Sequence, residues 1–265
     1  MRFLNRYRSL WTGDSTWMAL VHAAVVAAGY VFWNFIVKID NSYFFYEDIL
    51  KFIPFLLPAH PIDWFNTWEM GDPRPRFVTI LAEVANLHLR GWVSHVATLP
   101  PAFGVGWFVY PLVCVALYRA VQLLTGKRFI ALSVSLLWAL SPGALDSLAE
   151  VYIPAKPLMN LWFALALLAA AHLQVAPQTP RPRSGLWGDS RRAAAVLALI
   201  VILAFLTDET VVVILVCLPV ICYRTFFSVR RNLGRAALAW SALIAPILLF
   251  LLIALWGLSL VESTD

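Results

Sequence analysis

Long apolar stretches alternate with short polar ones along this chain, and charged residues or prolines mark most of the boundaries. A helix crosses the hydrocarbon core of a bilayer with about 20 apolar residues. Seven stretches approach or reach that length, and they cover residues 17–37, 101–124, 129–144, 154–173, 193–207, 210–223 and 236–260. The pattern predicts an all-α, polytopic bundle of about seven membrane spans.

Three of these segments, 129–144, 193–207 and 210–223, are short for a full span, so we expect tilt, interfacial residues or a re-entrant turn. Only Asp208 and Glu209 separate the last two. Two carboxylates in the middle of one long helix would be costly in lipid. The sequence therefore predicts a tight hairpin whose turn carries this acidic pair at the outer surface.

Residues 38–100 form the longest connection within what we treat as a single integral membrane domain, residues 1–265. This loop is rich in Trp, Phe and Pro, unlike a flexible tether. Within it, residues 77–89 show helical periodicity. The apolar stripe consists of Phe77, Ile80, Leu81, Val84 and Leu87, and the polar stripe of Thr79, Glu83, Asn86 and Arg90. We predict an amphipathic interfacial helix here, and a second over residues 47–57, broken by Pro54.

Composition restricts the class of protein. With 61% hydrophobic residues, 13% charged residues and a mean hydropathy of +0.76, the chain is not an ordinary soluble domain. A sequence pI of 9.3 would suit a nucleic-acid partner only if the basic residues formed one patch, and they are spread over several loops. The apolar run 17–37 predicts a retained anchor rather than a signal peptide, and Cys114, Cys217 and Cys222 are assigned to packing.

The charges predict an orientation, because Lys and Arg accumulate in cytoplasmic loops. One set of loops holds fourteen Lys and Arg residues against only Asp14 and Asp189. The other set holds six basic residues and thirteen acids. We therefore predict a bacterial inner-membrane protein, or its equivalent, with a cytoplasmic amino terminus and with residues 38–100 outside.

Candidate chemistry begins with Glu47 and Asp48, which follow the first span. A carboxylate at the membrane surface could serve as a general base or bind a divalent cation, with Asp48 the candidate metal ligand. The same pair could simply begin a helix, where acids are favoured. Further along, Arg74 and Arg76 stand between prolines in a rigid turn, and their guanidinium groups suit either a substrate phosphate or ordinary anionic lipid.

Other predicted outer loops contribute further candidates. Glu150 and Lys156 lie at the connection before the fourth span, and Asp208 and Glu209 at the next outer turn. These side chains could converge with Asp48 on one cavity at the membrane surface, or they could be solvated loop residues. No nucleotide-binding, zinc-protease or serine-hydrolase motif accompanies them.

The layout resembles the C-type glycosyltransferases, which are polyprenyl-phosphate-sugar-dependent membrane enzymes such as protein mannosyltransferases and aminoarabinose transferases. Glu47 and Asp48 match the acidic pair of that superfamily in the first outer loop, and residues 71–76 are similar to a Gly-Arg-Pro type region. The segments 141–150 and 206–209 also resemble family landmarks, although many members have Lys-Glu at the latter. Members commonly have more spans and a soluble carboxy-terminal domain, so the chain is expected to be a fragment, a minimal form or an inactive relative.

The resemblance implies a sugar donor on polyprenyl phosphate, with Arg74, Arg76 or Lys156 holding the phosphate and Glu150, Asp208 and Glu209 lining the site. It also implies that Asp48 or Glu47 acts as base. No cofactor is required, although a divalent cation could take part. The alternative is a non-catalytic membrane subunit whose outer loop binds a partner protein through exposed aromatics such as Trp64, Phe65, Trp68 and Trp92. A transporter is disfavoured, because the predicted spans hold almost no charge.

Overall fold

A computed structural model describes residues 77–94, 104–141, 144, 155–175, 190–208, 212–227 and 229–262. Every regular element in these ranges is a helix, which confirms the all-α prediction for this part of the chain. The eight helices are α1 Phe77–Ser94, α2 Val105–Thr125, α3 Arg128–Ala139, α4 Ala155–Val175, α5 Ser190–Phe205, α6 Val212–Ile221, α7 Tyr223–Phe226 and α8 Val229–Glu262.

Within the described ranges, three helices are long and apolar enough to cross a membrane: Val105–Thr125, Ala155–Gln174 and Leu233–Trp256. The chain is thus an integral membrane protein. Helices α3, α5 and α6 are also apolar but have only 12, 16 and 10 residues. The three segments predicted to be short are therefore short helices. The predicted segment 17–37 lies outside the described residues, and the total of about seven spans stays a prediction.

The packing of the described helices can be followed through specific contacts. Helix α3 turns back along α2, because the Ser135 hydroxyl donates to the Cys114 carbonyl oxygen over 2.8 Å and the Tyr110 hydroxyl donates to the Ala139 carbonyl oxygen. Helix α4 packs against both α2 and α5. Helix α8 packs along α5, and the stacked rings of Phe205 and Phe250 are 5.0 Å apart.

Alanine dominates the contact surfaces between these helices. The buried core includes a run along α4 and matching positions on α5 and α8, namely Ala164, Ala166, Ala169, Ala170, Ala171, Ala193, Ala194, Ala204, Ala239 and Ala242. Lipid tails are as apolar as side chains, so helix association in a bilayer depends on close packing between small residues. Large apolar side chains are instead exposed on the outward faces, as with Leu248, Leu252 and Leu255 of α8.

The bundle has two ends, which we name by the residues that join helices there. At the Gln174 end, the Thr225 hydroxyl and the Arg235 guanidinium both bond to Gln174, each over 3.4 Å, so α4, α7 and α8 meet. At the Thr207 end, the Trp162 indole bonds to Thr207, so the start of α4 meets the end of α5.

The predicted break at the acidic pair is confirmed. Helix α5 ends at Phe205, the chain turns at Leu206 and Thr207, and α6 begins at Val212. Asp208 is half-exposed, and its amide donates to the Ala204 carbonyl oxygen over 3.0 Å. The carboxylate-bearing residue therefore follows the helix rather than interrupting it, which avoids the cost of a charge within an apolar span.

Candidate functional site

Helix α1 is present as predicted, but two residues of its polar stripe, Thr79 and Asn86, face the bundle. Thr79 and Asn86 are buried, with 6% and 2% of their surface exposed, whereas Leu81 and Trp92 are exposed. Val78 and Ala82 pack against the main core. The two polar residues were expected on the face opposite the membrane-facing stripe. Their burial means that hydrogen bonds to the bundle, rather than apolar contacts alone, fix the position of this helix.

Three hydrogen bonds, which we call the roof contacts, tie α1 to the Thr207 end. The Val78 amide donates to the Leu206 carbonyl oxygen over 2.9 Å, and the Thr79 hydroxyl donates to the Thr207 carbonyl oxygen over 2.6 Å. The Val105 amide donates to the Asn86 side-chain oxygen over 2.9 Å. Each contact involves backbone that lies at or just beyond the end of a bundle helix.

These positions set the course of α1. Thr79 and Asn86 are seven residues apart, or about 10 Å along a helix axis. Their partners, Thr207 and Val105, lie at the end of α5 and the start of α2, at the same end of the bundle. A helix that reaches two terminal residues in this way lies across the end of the bundle rather than alongside its helices. Helix α1 therefore forms a roof.

The roof contacts provide hydrogen-bond partners for unpaired backbone groups at helix ends. The first amides and last carbonyls of a helix have no partners within it. Val78 donates from the first turn of α1 to a carbonyl just past the last turn of α5, and Asn86 accepts from the first residue of α2. The N-cap residue of α2, Gly104, makes no side-chain cap hydrogen bond, so Asn86 provides one from another helix.

Beneath the roof, Thr207 is the centre of a small polar network. Its hydroxyl donates to the Leu203 carbonyl oxygen over 2.7 Å and accepts from the Trp162 indole nitrogen over 2.8 Å. Its carbonyl oxygen accepts from Thr79. Thr207 is fully buried. Through its hydroxyl and its backbone carbonyl, Thr207 thereby joins α1, α4 and α5 next to Asp208.

A shallow groove lies near this end between α2, α3 and α4, and it is too narrow to admit a water molecule. The ring centroids of Tyr110 and Trp138 lie 5.2 Å apart at its wall. The lining residues are Gly106, Val109, Tyr110, Val113, Trp138, Pro157 and Asn160. The groove is mostly apolar and closely packed, and the Tyr110 hydroxyl at its wall is bonded to the Ala139 carbonyl oxygen, so it joins the three helices rather than offering a binding cavity.

Two of the predicted site residues lie in the described part of the chain, and both are at the Thr207 end. Lys156 is exposed in the first turn of α4, next to Pro157 of the groove, and Asp208 follows directly after Thr207. The remaining candidates, Glu47, Asp48, Arg74, Arg76, Glu150 and Glu209, lie outside the described residues. Their convergence with Lys156 and Asp208 stays a prediction.

A metal site is not formed by the residues that the structure describes, since no group of three or more His, Cys, Asp or Glu side chains there could hold an ion. Asp48, the predicted metal ligand, lies outside those residues. The three cysteines carry free thiols, with Cys114 and Cys222 buried.

The sequence did not predict the hydrogen bond between Trp162 and Thr207 that connects α4 to α5. Each is an isolated polar group at the border of an apolar segment, a position that also suits a simple interfacial anchor. A buried indole N–H usually has a hydrogen-bond acceptor, because burying it without one is unfavourable. That rule predicts a partner for Trp162 but does not say which one.

Comparison with known proteins identified no relative. No protein-family model, no characterised protein and no solved structure matches this chain.

Proposed function

We propose that this chain is a membrane glycosyltransferase that moves a sugar from a polyprenyl-phosphate donor to an acceptor hydroxyl at the Thr207 end. The observation that carries the proposal is the architecture of that end. A roof helix, a cationic Lys156 and an acidic Asp208 all lie there, on the end of a bundle whose outward faces are apolar. A lipid-linked sugar needs the same combination of hydrocarbon contact, cation and polar cover.

The proposed orientation places the Thr207 end outside and the Gln174 end in the cytoplasm. Described Lys and Arg positions at the Gln174 end are Arg119, Lys127, Arg128, Arg191, Arg192, Arg224, Arg230, Arg231 and Arg235. Among the described residues, the acidic ones are Glu83, Asp208 and Glu262, in or beyond the helices at the opposite end. Basic residues favour the cytoplasmic side.

The transfer would need one general base for the acceptor hydroxyl and one cationic side chain to bind the donor phosphate. Asp48, or Glu47, takes the proton of the acceptor hydroxyl as its oxygen bonds to the anomeric carbon. The bond from that carbon to the phosphate oxygen breaks, and polyprenyl phosphate leaves with the electron pair. Lys156, Arg74 or Arg76 stabilises the phosphate charge. Attack opposite the leaving group inverts the anomeric centre.

A transfer assay on the reconstituted full chain tests this function. Vesicles would receive undecaprenyl-phosphate-linked hexoses and pentoses with radiolabelled sugar, together with total membrane lipid and protein as acceptors. We expect label in an acceptor fraction and release of polyprenyl phosphate, both dependent on the protein. If no sugar in the panel is transferred, the proposed function is wrong.

Replacing Arg74 and Arg76 together by Ala is expected to weaken donor binding about tenfold, because each exposed ion pair contributes a modest ~0.2–1 kcal/mol. The apparent KM for the lipid-linked sugar should rise while kcat changes less. The control is Arg181→Ala with Arg183→Ala, which removes the same charge from the predicted cytoplasmic loop. Equal KM values for the two double variants would exclude the phosphate role.

A non-catalytic subunit is the second candidate. Trp92 on α1 is 70% exposed, and Leu81, Ala85 and His88 are exposed on the same side of the helix. Exposed aromatic residues are enriched in protein interfaces. Under this function the chain should purify with a stoichiometric partner that Trp92→Ala releases, and it should have no transfer activity by itself.

A further inference from the structure

Helices α2 and α4 set the height of the bundle. Each has 21 residues, or about 30 Å of helix, which matches the hydrocarbon core of a bilayer. Gly106 and Pro157, each in the first turn of its helix, line the same groove. Since the two helices also pack against each other, they run in the same direction and begin at one level at the Thr207 end. This level marks the edge of the hydrocarbon core on that side.

Helix α3 ends below that level. Its two hydrogen bonds to α2, from Ser135 and to Ala139, are four residues apart on α3 and meet residues four apart on α2. Helix α3 therefore runs along α2 without tilting away from it, and it ends beside Tyr110. From Tyr110, α2 continues for five residues, or about 8 Å, to its start at Val105.

The apolar surface of α3 has the same short height. The helix has 12 residues, and its outward side carries Phe129, Leu137 and Leu140, all more than half exposed. Arg128 begins the helix and Ser141 follows this apolar face. A helix of this length covers about 18 Å, which is about 12 Å less than the hydrocarbon core.

Helix α5 also ends below the level at which α4 begins. Thr207, just past the end of α5, accepts the hydrogen bond of the Trp162 indole, and Trp162 is seven residues from the start of α4. On the other side of α5, its last residue, Phe205, stacks with Phe250 of α8. The apolar segment of α8 continues six residues farther, to Trp256. Both long neighbours thus pass their contact with α5 by about 9–10 Å of helix.

Three separate contacts therefore agree that the ends of α3 and α5 lie about 8–10 Å below the ends of α2, α4 and α8. A mismatch with the bilayer is often relieved by tilt, but hydrogen bonds fix α3 along α2. The bilayer must then adjust, and it does so by thinning beside a short apolar surface. A flat bilayer would instead place acyl chains against Ser141 and Asp208, both partly exposed, at a cost in free energy.

From these levels we infer that the leaflet at the Thr207 end is thinned beside the protein, so that phospholipid headgroups reach down to the ends of α3 and α5. The partner is the headgroup layer of the bilayer itself. The height of an apolar surface, rather than its charge, brings this layer inward. The inference concerns the shape of the bilayer and does not depend on sugar transfer.

Spin labels at two exposed leucines test the depth. Leu140→Cys lies at the end of α3, and Leu252→Cys lies on α8, two residues past the ring that contacts the end of α5. The two native side chains are 60% and 64% exposed, and the main helix contacts run in the order α3, α2, α4, α5, α8, which places the two sites far apart. The variants would be made in a chain whose native cysteines are replaced by Ala, and reconstituted in dioleoylphosphatidylcholine.

We expect the Leu140→Cys label to collide with a polar nickel chelate and the Leu252→Cys label with oxygen, as for depths that differ by about 8 Å. Leu137→Cys, one turn earlier on α3, is a second site and should lie about 5 Å deeper than Leu140→Cys. Equal depths for Leu140→Cys and Leu252→Cys would overturn the inference. A Leu140→Cys label shielded from both reagents would also overturn it, because another part of the chain or a second copy would then cover α3.

The melting temperature of the unaltered chain provides a measurement that needs no variant. It should be highest in nanodiscs of dimyristoylphosphatidylcholine and fall through the dioleoyl to the dierucoyl lipid, because longer acyl chains increase the mismatch at α3 and α5. A melting temperature that does not fall as the acyl chains lengthen would contradict the thinned leaflet.

Discussion

Replacing Asp48 by Asn is expected to lower sugar transfer by about 10²–10⁴-fold, the usual contribution of a positioned general base. The amide keeps the shape of the side chain but cannot take the proton of the acceptor hydroxyl. The rate constant for transfer should fall while donor binding persists, because the proposal assigns the donor phosphate to other residues. Single-turnover transfer and donor binding, measured on the same vesicles, separate the two effects.

Two further variants complete that experiment. Glu47→Gln establishes which member of the acidic pair is the base, and only one of the two single variants should lose most of the activity. Asp189→Asn is the control, since it makes the same chemical change in the predicted cytoplasmic loop. Normal transfer by both Asp48→Asn and Glu47→Gln would remove the proposed base.

Breaking the roof contacts is expected to produce the second large effect. Asn86→Leu leaves the Val105 amide at the start of α2 without its acceptor, and Thr207→Val removes the acceptor of the Trp162 indole. A buried donor left unsatisfied costs about 1–3 kcal/mol. Each variant should therefore lower the free energy of unfolding by about that amount, and α1 should exchange its amide hydrogens faster.

Matched controls distinguish these bonds from general packing. Ala85→Leu introduces the same side chain as Asn86→Leu at the adjacent, exposed position and should be nearly neutral. Thr207→Ser keeps the hydroxyl and should retain most of the stability. If Asn86→Leu unfolds at the same temperature as Ala85→Leu, with unchanged hydrogen exchange in α1, the roof contacts do not hold the helix.

The helices were predictable because they depend on local signals. Apolar runs bounded by charges placed α2 and α4 within a few residues, whereas α8 begins at Val229, before the predicted start at residue 236. The cost of a charge in lipid placed the break at Asp208. Periodicity also located α1, since residues three and four apart share a face in any helix. None of these arguments requires knowledge of what each helix packs against.

The face that α1 presents to the bundle was less predictable. An amphipathic helix is usually assumed to turn its apolar stripe inward. Here the buried surface is the end of a bundle, where unpaired amides and carbonyls from α2 and α5 need partners. Thr79 and Asn86 can provide them, so polar residues face inward and Leu81 and Trp92 face outward. Which face of α1 is buried depends on tertiary contacts, and the periodicity of the sequence carries no information about those contacts.

For the candidate site, the sequence predicted that its two described residues share one end of the bundle. Charge counting assigned Lys156 and Asp208 to one face, and both lie at the Thr207 end of the bundle. The network from Thr79 through Thr207 to Trp162 joins residues up to 128 positions apart, and no pattern along the chain indicates that pairing. Long-range hydrogen bonds between isolated polar groups follow from how helices pack.

Topology is the most direct test of the account, because it requires opposite locations for the two ends. Single cysteines would replace Lys156 at the Thr207 end and Lys127 at the Gln174 end, both exposed, in a chain whose Cys114, Cys217 and Cys222 are replaced by Ala. Cells whose outer membrane is permeabilised and whose inner membrane is closed would then be treated with a membrane-impermeant maleimide. We predict that Lys156→Cys is labelled at once and Lys127→Cys only after the inner membrane is opened. Labelling of Lys127→Cys from outside, with Lys156→Cys protected, would contradict the account.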